Sequence, residues 1–222
     1  MALDQLGHEN LSRTVYAALC DAIAKGKFRP GQRLKLRELA DQLGTSVTPV
    51  RDAILLLAHD EAVVFQSPRD IRIPLLTQER YLEIRSIRLQ LEGMAAANAA
   101  RFATSQELGE LETLLSDNEA AIVQGNGSLG SALNQQFHFR IMEIARMPTL
   151  RGILNRLWLQ MGPLISDSYT AGGRDMINYH YPLLTALQGR QAEAAARAMQ
   201  DDILHGGQIM AALVEQVRVP AP

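Results

Sequence analysis

Residues 36–57 contain two short amphipathic helical patterns that are joined by a tight turn at Gly44 and Thr45. The second pattern opens with small hydroxyl residues and a proline, which is tolerated there because first-turn amides need no intrahelical partner. A helix-turn-helix that lays its second helix in a DNA major groove is built from such parts. We therefore predict a DNA-binding regulator rather than an enzyme.

The length and composition indicate a soluble protein of two domains. A chain of 222 residues suits one small and one moderate-sized domain. The single cysteine, Cys20, leaves no disulfide framework, which is typical of a reducing cytosol. Residues 1–10 lack a basic segment followed by an apolar run, and no apolar stretch approaches membrane-spanning length. We expect a cytoplasmic protein with no membrane partner.

The net charge of -2 does not by itself suggest nucleic-acid binding, but the basic residues are unevenly distributed. The segment 25–37 contains no acidic residue and includes Lys25, Lys27, Arg29, Arg33, Lys35 and Arg37. A solvated basic face would explain such a run. Its position next to the helix-turn-helix favours contacts with DNA phosphates.

The periodicity of the first third of the chain predicts a winged helix-turn-helix. Helical patterns cover residues 11–25 and 35–43, and a third helix is predicted to start between residues 46 and 48. Two alternating segments, 63–65 and 71–73, then form a hairpin of the size of a wing. We predict a DNA-binding domain over residues 1–74 and a linker over residues 75–78.

The remaining residues, 79–222, show helical periodicity throughout and predict an all-α domain for effector binding and dimerisation. The predicted helices cover residues 77–103, 105–124, 130–147, 149–167, 174–188 and 190–217. The fold class is therefore mainly α, with three helices and a β-hairpin followed by a bundle of six or seven helices.

Base edges are read by exposed side chains in the first turns of a recognition helix, while basic and hydroxyl groups hold phosphates. Arg51 suits a guanine or a phosphate, Arg37 can reach the same groove, and Arg69 at the wing tip could enter the minor groove. Solvated surface charges are the alternative for Arg37 and Arg51. The candidate DNA-binding residues are Lys35, Arg37, Thr45, Ser46, Thr48, Arg51 and Arg69.

This segment resembles the winged helix domain of the GntR family of regulators. The resemblance covers residues 15–73 and lies in KFRPGQRLKLRELADQLGTSVTPVRDAILLL, which has the Pro-Gly turn, the LA dipeptide and most of the family's S-R-T-P-V-R run. Two positions depart from the family. Val47 replaces the first arginine of that run, which removes a DNA contact, and Asp70 replaces a wing glycine, which adds a negative charge near phosphates.

Two polar residues on one predicted helix, Asn134 and His138, are four positions apart and share a face that could hold one ion. His180 and Asp202 lie on later helices. His138 stands between two phenylalanines, so it is expected to point inward. A buried histidine that is hydrogen-bonded within the core remains the alternative.

Residues 77–217 resemble the FCD ligand-binding domain of the FadR-type branch of the GntR family. The resemblance lies in an R-x-x-L-E motif at Arg88, Leu91 and Glu92, and in a D-x-x-x-H motif at positions 134–138. It implies a metal site in which the family's one aspartate and three histidines fall on Asn134, His138, His180 and Asp202. His205, one helical turn after Asp202, could replace it as the last ligand. This donor set suits Zn²⁺, Ni²⁺ or Mn²⁺.

The same resemblance implies a small organic acid as effector, with Arg88 pairing its carboxylate. A salt bridge from Arg88 to Glu92, four residues along the helix, is the alternative role of that arginine. The family also implies a homodimer, usually a repressor, on a palindromic operator in double-stranded DNA. A metal-dependent enzyme and a DNA-associated dimer without a metal are the competing interpretations.

Overall fold

The computed structural model describes residues 11–216, and its N-terminal part is a winged helix-turn-helix. Its elements are α1 (Leu11–Ala24), β1 (Arg33–Leu34), α2 (Leu36–Gln42), α3 (Val47–His59), β2 (Val64–Ser67) and β3 (Asp70–Arg72). The strands form an antiparallel sheet in the order β1-β3-β2. Val50, Ala53, Ile54 and Leu57 of α3 are completely buried against α1 and the sheet, so the remaining faces of α3 are free to meet DNA.

The sequence predicted the β2-β3 hairpin but missed β1. A strand of two residues is too short to show an alternating pattern, and it is recognised from its pairing alone. In β1, Arg33 lies opposite Arg72 and Leu34 lies opposite Ile71. Strand β1 matters because its pairing with β3 brings Arg33 beside the wing.

Six helices and one short 3-10 segment make up the described remainder of the chain, which confirms the predicted mainly α class. They are α4 (Gln78–Phe102), α5 (Ser105–Val123), α6 (Gly127–Ile144), α7 (Pro148–Gly172), α8 (His180–Gln188) and α9 (Ala192–Gln216). The 3-10 segment, Gly173–Met176, precedes α8. The predicted end of the last helix, Val217, lies outside the described residues. Residues 1–10 of the first predicted domain and 217–222 of the second lie outside them as well.

The helix limits differ from the predicted ones at α6, at α7 and in the segment before α8, and local capping explains the start of α6. The side chain of Asn126 accepts a hydrogen bond from the backbone N–H of Leu129, so α6 begins at Gly127, earlier than the apolar pattern indicated. The predicted helix 174–188 is divided, because residues 173–176 form the 3-10 segment and α8 begins at His180. Helix α7 is longer than predicted and continues through Pro163 to Gly172.

Helix α4 packs along α9, and α7 lies between the bundle and the winged domain. The buried hydroxyl of Tyr81 on α4 donates to the carbonyl oxygen of Gly207 on α9 at 2.6 Å. On α7, Trp158 is buried in the bundle core, whereas the next residue, Leu159, belongs to the core of the winged domain. Successive residues of α7 therefore serve two different cores. Within residues 11–216, no helix combines the length and apolar character needed to cross a membrane.

Candidate functional site

The first candidate surface is formed by α2, the start of α3 and the wing. Arg37, Ser46, Thr48 and Arg51 are exposed, and Thr45 is half-buried. Ser46 is the N-cap residue of α3 and its side chain makes no capping hydrogen bond, so the first-turn backbone amides are not capped by its hydroxyl. Hydroxyls, free amides and arginines on one convex surface are the groups that hold DNA phosphates and read base edges.

The charges on this surface differ in how far they are already paired. Arg37 and Arg51 form no ion pair with any other described residue. Lys35 contacts Glu38 at 2.6 Å, but both side chains are well exposed, so water and salt screen that pair. Arg69 is exposed at the tip between β2 and β3. The two free arginines are therefore the strongest anion-binding groups of α2 and α3.

The departures at Val47 and Asp70 have structural consequences that the sequence did not predict. Val47 is half-buried and packs against the core of the winged domain, so it replaces an exposed arginine by a packing residue. Asp70 lies 3.3 Å from Arg33 Nε and 3.1 Å from Arg72 Nε. The carboxylate that seemed unfavourable near phosphates is therefore neutralised by two arginines, one of them from the strand that the sequence missed.

The second candidate site is a cluster of ionisable side chains in the interior of the bundle. It joins Arg88 and Glu92 from α4, His138 from α6, His180 from α8 and Asp202 from α9, all of them buried. Charged groups are rarely buried unless they are paired or bind a metal. A cluster supplied by four different helices also requires a precise bundle geometry.

Glu92 is the centre of the hydrogen bonds in this cluster. Its Oε1 accepts from Arg88 Nε at 2.6 Å and from Trp158 Nε1 at 3.0 Å, and its Oε2 lies 2.8 Å from His138 Nδ1. The guanidinium carbon of Arg88 lies 4.5 Å from the centre of the Trp158 ring. The alternative role given to Arg88 by its spacing, a salt bridge to Glu92, is thus present in the structure.

The other nitrogen of His138 faces Asp202. His138 Nε2 lies 3.3 Å from Asp202 Oδ2, and His180 Nε2 lies 3.3 Å from Asp202 Oδ1. Nδ1 of the fully buried His180 has no hydrogen-bond partner among the described residues, and the contact of its Nε2 with Asp202 lacks hydrogen-bond geometry. One potential ligand atom from each of His138, His180 and Asp202 falls within 4.8 Å of the others. The three groups converge as metal ligands do, and His180 lacks the partner that a structural histidine normally has.

Electrostatics favour ionised carboxylates here despite their burial. Burial alone would raise the pKa of Glu92, but Arg88 and His138 bring it below its ordinary value. Burial opposes a charge on His138 too, yet its contacts with Asp202 and Glu92 raise the pKa of His138 to about 9. The pKa of Asp202 is lowered against the effect of burial by His180 and His138. The interior therefore holds two ionised carboxylates, and Arg88 and the protonated His138 are their positive partners.

The remaining predicted residues occupy different positions. Asn134 is buried and, with Arg88, His138 and Asp202, lines a cavity of about 20 Å³. Met176, Ile203 and Met210 form part of its wall. His205 is exposed on α9, contacts the carbonyl oxygen of Asp201 at 2.7 Å and stacks on Tyr179, away from the cluster. Of the two residues considered for the last ligand, Asp202 is the one that meets the histidines.

The sequence did not indicate the role of Trp158 or the central position of Glu92. Glu92 was noticed as part of a motif and as the neighbour of Arg88, but its contact with His138 joins residues far apart in the chain. Trp158 is the single tryptophan and stands in a helical apolar pattern, where packing alone explains it. Such contacts across the bundle leave no local pattern in a single sequence.

A winged helix-turn-helix followed by a helical bundle defines a class of DNA-binding regulators. Comparison with known proteins agrees with that class. Residues 11–73 match the bacterial regulatory proteins of the gntR family, and residues 83–205 match the FCD domain. The chain therefore belongs to the GntR family of transcriptional regulators and carries an FCD domain.

Individual relatives cover nearly the whole chain. This chain is 32% identical over 207 residues to the HTH-type transcriptional regulator McbR of Escherichia coli (strain K12), across 90% of this chain and 94% of McbR. It is 27% identical over 200 residues to the "Probable D-xylose utilization operon transcriptional repressor" of Paenarthrobacter nicotinovorans, across 86% and 87% of the two chains. The solved structure of E. coli McbR/YncC matches with a TM-score of 0.84 and 30% identity, across 93% of this chain and 99% of that one. These relatives are regulators and not enzymes, which removes the support for a metal-dependent enzyme.

Glu92→Gln removes the negative charge at the centre of the cluster and leaves Arg88 buried without its counter-charge. We expect the free energy of unfolding to fall by about 3 kcal/mol, the lower end of the range for breaking a buried ion pair from one side. Urea denaturation followed by the fluorescence of Trp158, which contacts Glu92, measures this loss.

The matched control is Glu83→Gln on the same helix, where Glu83 pairs with Arg80 at the surface. Its effect is expected to be below about 1 kcal/mol, because exposed pairs contribute little. Equal losses for the two variants would contradict the central role of Glu92.

Proposed function

We propose that this regulator reads an operator through α3, assisted by α2 and the wing, and that the buried cluster controls that binding through a divalent metal and a small carboxylate. The unpaired arginines beside the N-terminus of α3 support the first part. The convergence of His138, His180 and Asp202 within 4.8 Å supports the second. We propose repression as the sense of regulation, because the Paenarthrobacter relative is named as a probable repressor.

In the proposed DNA complex, Arg51 makes the base contact, because it lies on the exposed side of the first turns of α3. Arg37 and Lys35 hold phosphates, together with the hydroxyls of Thr45, Ser46 and Thr48. Arg69 reaches the neighbouring minor groove from the wing. Since Val47 packs inward where a typical member of the family has an arginine, more of the DNA contact depends on Arg37 and Arg51.

The residues of the cluster fit a divalent metal. His138, His180 and Asp202 would hold it, with Asn134 in the wall of the same cavity as a weaker oxygen donor. Glu92 would accept the Nδ1–H of His138, the carboxylate-histidine arrangement that commonly orients a metal ligand. Two imidazoles and a carboxylate suit Zn²⁺, Ni²⁺ or Mn²⁺. When bound, such an ion supplies positive charge and an open position for a carboxylate.

An organic effector requires the cavity to enlarge. Its volume of about 20 Å³ is close to the space occupied by one or two water molecules. Met176 and Met210 in the wall have flexible, unbranched side chains that can rearrange at low energetic cost. In the proposed complex, they withdraw and the carboxylate meets the guanidinium nitrogens of Arg88 that Glu92 does not engage. Enlarging the cavity would also shift the helices whose side chains form its wall.

A homodimer is the proposed assembly, since a two-fold protein reads a two-fold operator. Helix α4 exposes the large apolar side chains Leu82, Ile87 and Met94, and α7 exposes Ile153. Burying these side chains against a second copy of the chain would remove apolar surface from water. A second copy of the chain is the partner we propose.

Arg51→Ala is expected to weaken binding to the operator by about 1–3 kcal/mol and to relax base preference, because it removes the proposed guanine contact. The measurement is fluorescence anisotropy with a duplex that the protein selects from a random-sequence pool. Titrations at several salt concentrations separate base contacts from phosphate contacts.

Arg197→Ala, which removes an exposed arginine from α9, is the matched control and should leave the affinity unchanged. Equal affinity of the Arg51→Ala variant and the wild type for the selected duplex would contradict the proposed reading surface. A selected sequence with two symmetric half-sites supports the dimer, and a single half-site would overturn it.

Asp202→Ala should weaken Zn²⁺ or Ni²⁺ binding by at least about 10- to 100-fold, the effect seen even for partners outside the ligand set. His205→Ala, one helical turn away and exposed, should leave metal affinity unchanged. Thermal-shift titrations of chelator-treated, tag-free protein with Zn²⁺, Ni²⁺ and Mn²⁺ measure both variants. If none of these ions stabilises the wild type, the metal part of the proposal is wrong and a metal-free core replaces it.

A further inference from the structure

Helix α7 contacts both the buried cluster and the winged domain within a few residues. On the bundle side, Trp158 donates to Glu92 and lies against Arg88, and its ring centre is 5.1 Å from that of His138. Ile165, two turns later, lines the cavity beside His138. A change in the position of Arg88, Glu92 or His138 therefore acts directly on α7.

A neighbouring face of α7, one helical turn after Trp158, is in close backbone contact with α1. A Cβ atom added to Gly162 would lie 2.5 Å from the carbonyl oxygen of Ile23 and 2.8 Å from the Cα of Ala24. Gly26, at the end of α1, has a φ of +67° and lies so close to Ser166 that an added Cβ would be 2.0 Å from its Cβ. No flexible side chain separates the helices at these points, so a shift of α7 must move α1 or open the contact.

Polar contacts join the same part of α7 to the end of the recognition helix α3. Arg156 Nε lies 3.1 Å from Oδ1 of Asp60, the C-cap residue of α3, and Asp60 also accepts from the hydroxyl of Tyr16 on α1. The Gln160 side chain donates to the backbone carbonyl of Asp60 at 3.5 Å and accepts from Arg80 at 3.1 Å. Asp60 is thus the point where α1, α3 and α7 meet.

Two features allow α7 to move at this point. Pro163 lacks the N–H that would bond to the carbonyl of Leu159, so one hydrogen bond that resists bending of α7 is missing. A cavity of about 310 Å³ lies beside Pro163 and Gln160, between the winged domain, the linker and the end of α9. The interface is therefore tight at Gly162 and open next to Pro163.

We infer that α7 couples the buried cluster to the recognition helix, with Trp158 as the contact on the cluster side and Gly162, Arg156 and Gln160 as the positioning contacts on the winged-domain side. The inference rests on the proposed function and adds the route by which the cluster acts on DNA binding. Trp158 and Gly162 are separated by one helical turn, or about 6 Å along the axis. A ligand that displaces Trp158 turns α7 against α1 and changes the position of α3 through Asp60.

The test uses the full-length protein, the duplex selected by it and Zn²⁺ as the ligand of the cluster. Trp158 is the single tryptophan, so its emission reports on the cluster. In the wild type, duplex binding should change Trp158 emission along the binding curve. Zn²⁺ should change the affinity for the duplex by about 5- to 150-fold, the usual range of coupling between two sites.

Gly162→Ala forces α1 and α7 apart and should abolish both linked effects, while separate binding of Zn²⁺ and of the duplex is retained. Gly152→Ala is the matched control on the same helix, because an added Cβ there meets no atom within 4 Å among the described residues. It should behave as the wild type. The double variant Arg156→Ala/Gln160→Ala removes the contacts with Asp60 without adding volume, and should reduce the coupling even if Gly162→Ala fails to fold.

Coupling that persists unchanged in the double variant, or in a folded Gly162→Ala variant, overturns the inference. Independent binding of Zn²⁺ and duplex by the wild type overturns it as well, but leaves DNA binding by this regulator intact. If the wild type selects no duplex, the proposed function fails. The coupling between the buried cluster and the end of α3 is then tested by amide hydrogen exchange with and without Zn²⁺. A Zn²⁺-dependent change at residues 56–62 that is lost in the double variant supports the route through α7, and its absence in the wild type excludes it.

Discussion

Glu92 brings a carboxylate into the interior of the bundle, where hydrogen bonds to Arg88, His138 and Trp158 hold it. An isolated buried carboxylate would cost several kcal/mol, and these three donors together offset that cost. They belong to α4, α6 and α7. The relative positions of these three helices are therefore set by one charged group rather than by apolar packing alone.

The orientation of His138 follows from this arrangement. Because Nδ1 faces Glu92, Nε2 is directed to Asp202, which lies between His138 and His180. This is the ring orientation that a metal-binding histidine needs. The same carboxylate holds Trp158, which is one helical turn from the contact between α7 and the winged domain. The proposed ligand site and the proposed route to α3 thus share Glu92.

The sequence was sufficient for the parts of the structure that local patterns determine. The helix-turn-helix, the hairpin and the long helices follow from hydrophobic periodicity and from turn residues such as Gly44. Contacts between distant parts of the chain could not be predicted from such local patterns. The two-residue strand β1 has no pattern of its own, so the pairing of Arg33 with Asp70 was missed. Of the four proposed metal-site residues, Asn134 and His138 were suggested by their spacing on one helix, and the family resemblance completed the set with His180 and Asp202. Three of them, His138, His180 and Asp202, converge in space, whereas Asn134 lies in the cavity wall.

The orientation of His138 by Glu92 for metal binding is tested most directly by the ¹⁵N resonance of each imidazole nitrogen. The resonances are measured in metal-free protein and again after one equivalent of Zn²⁺. We expect Nδ1 of His138 to keep its proton, because Glu92 accepts it in both states, while Nε2 of His138 and one nitrogen of His180 shift to metal-bound values. Unchanged resonances for both histidines, or loss of the proton from Nδ1 of His138, would contradict it.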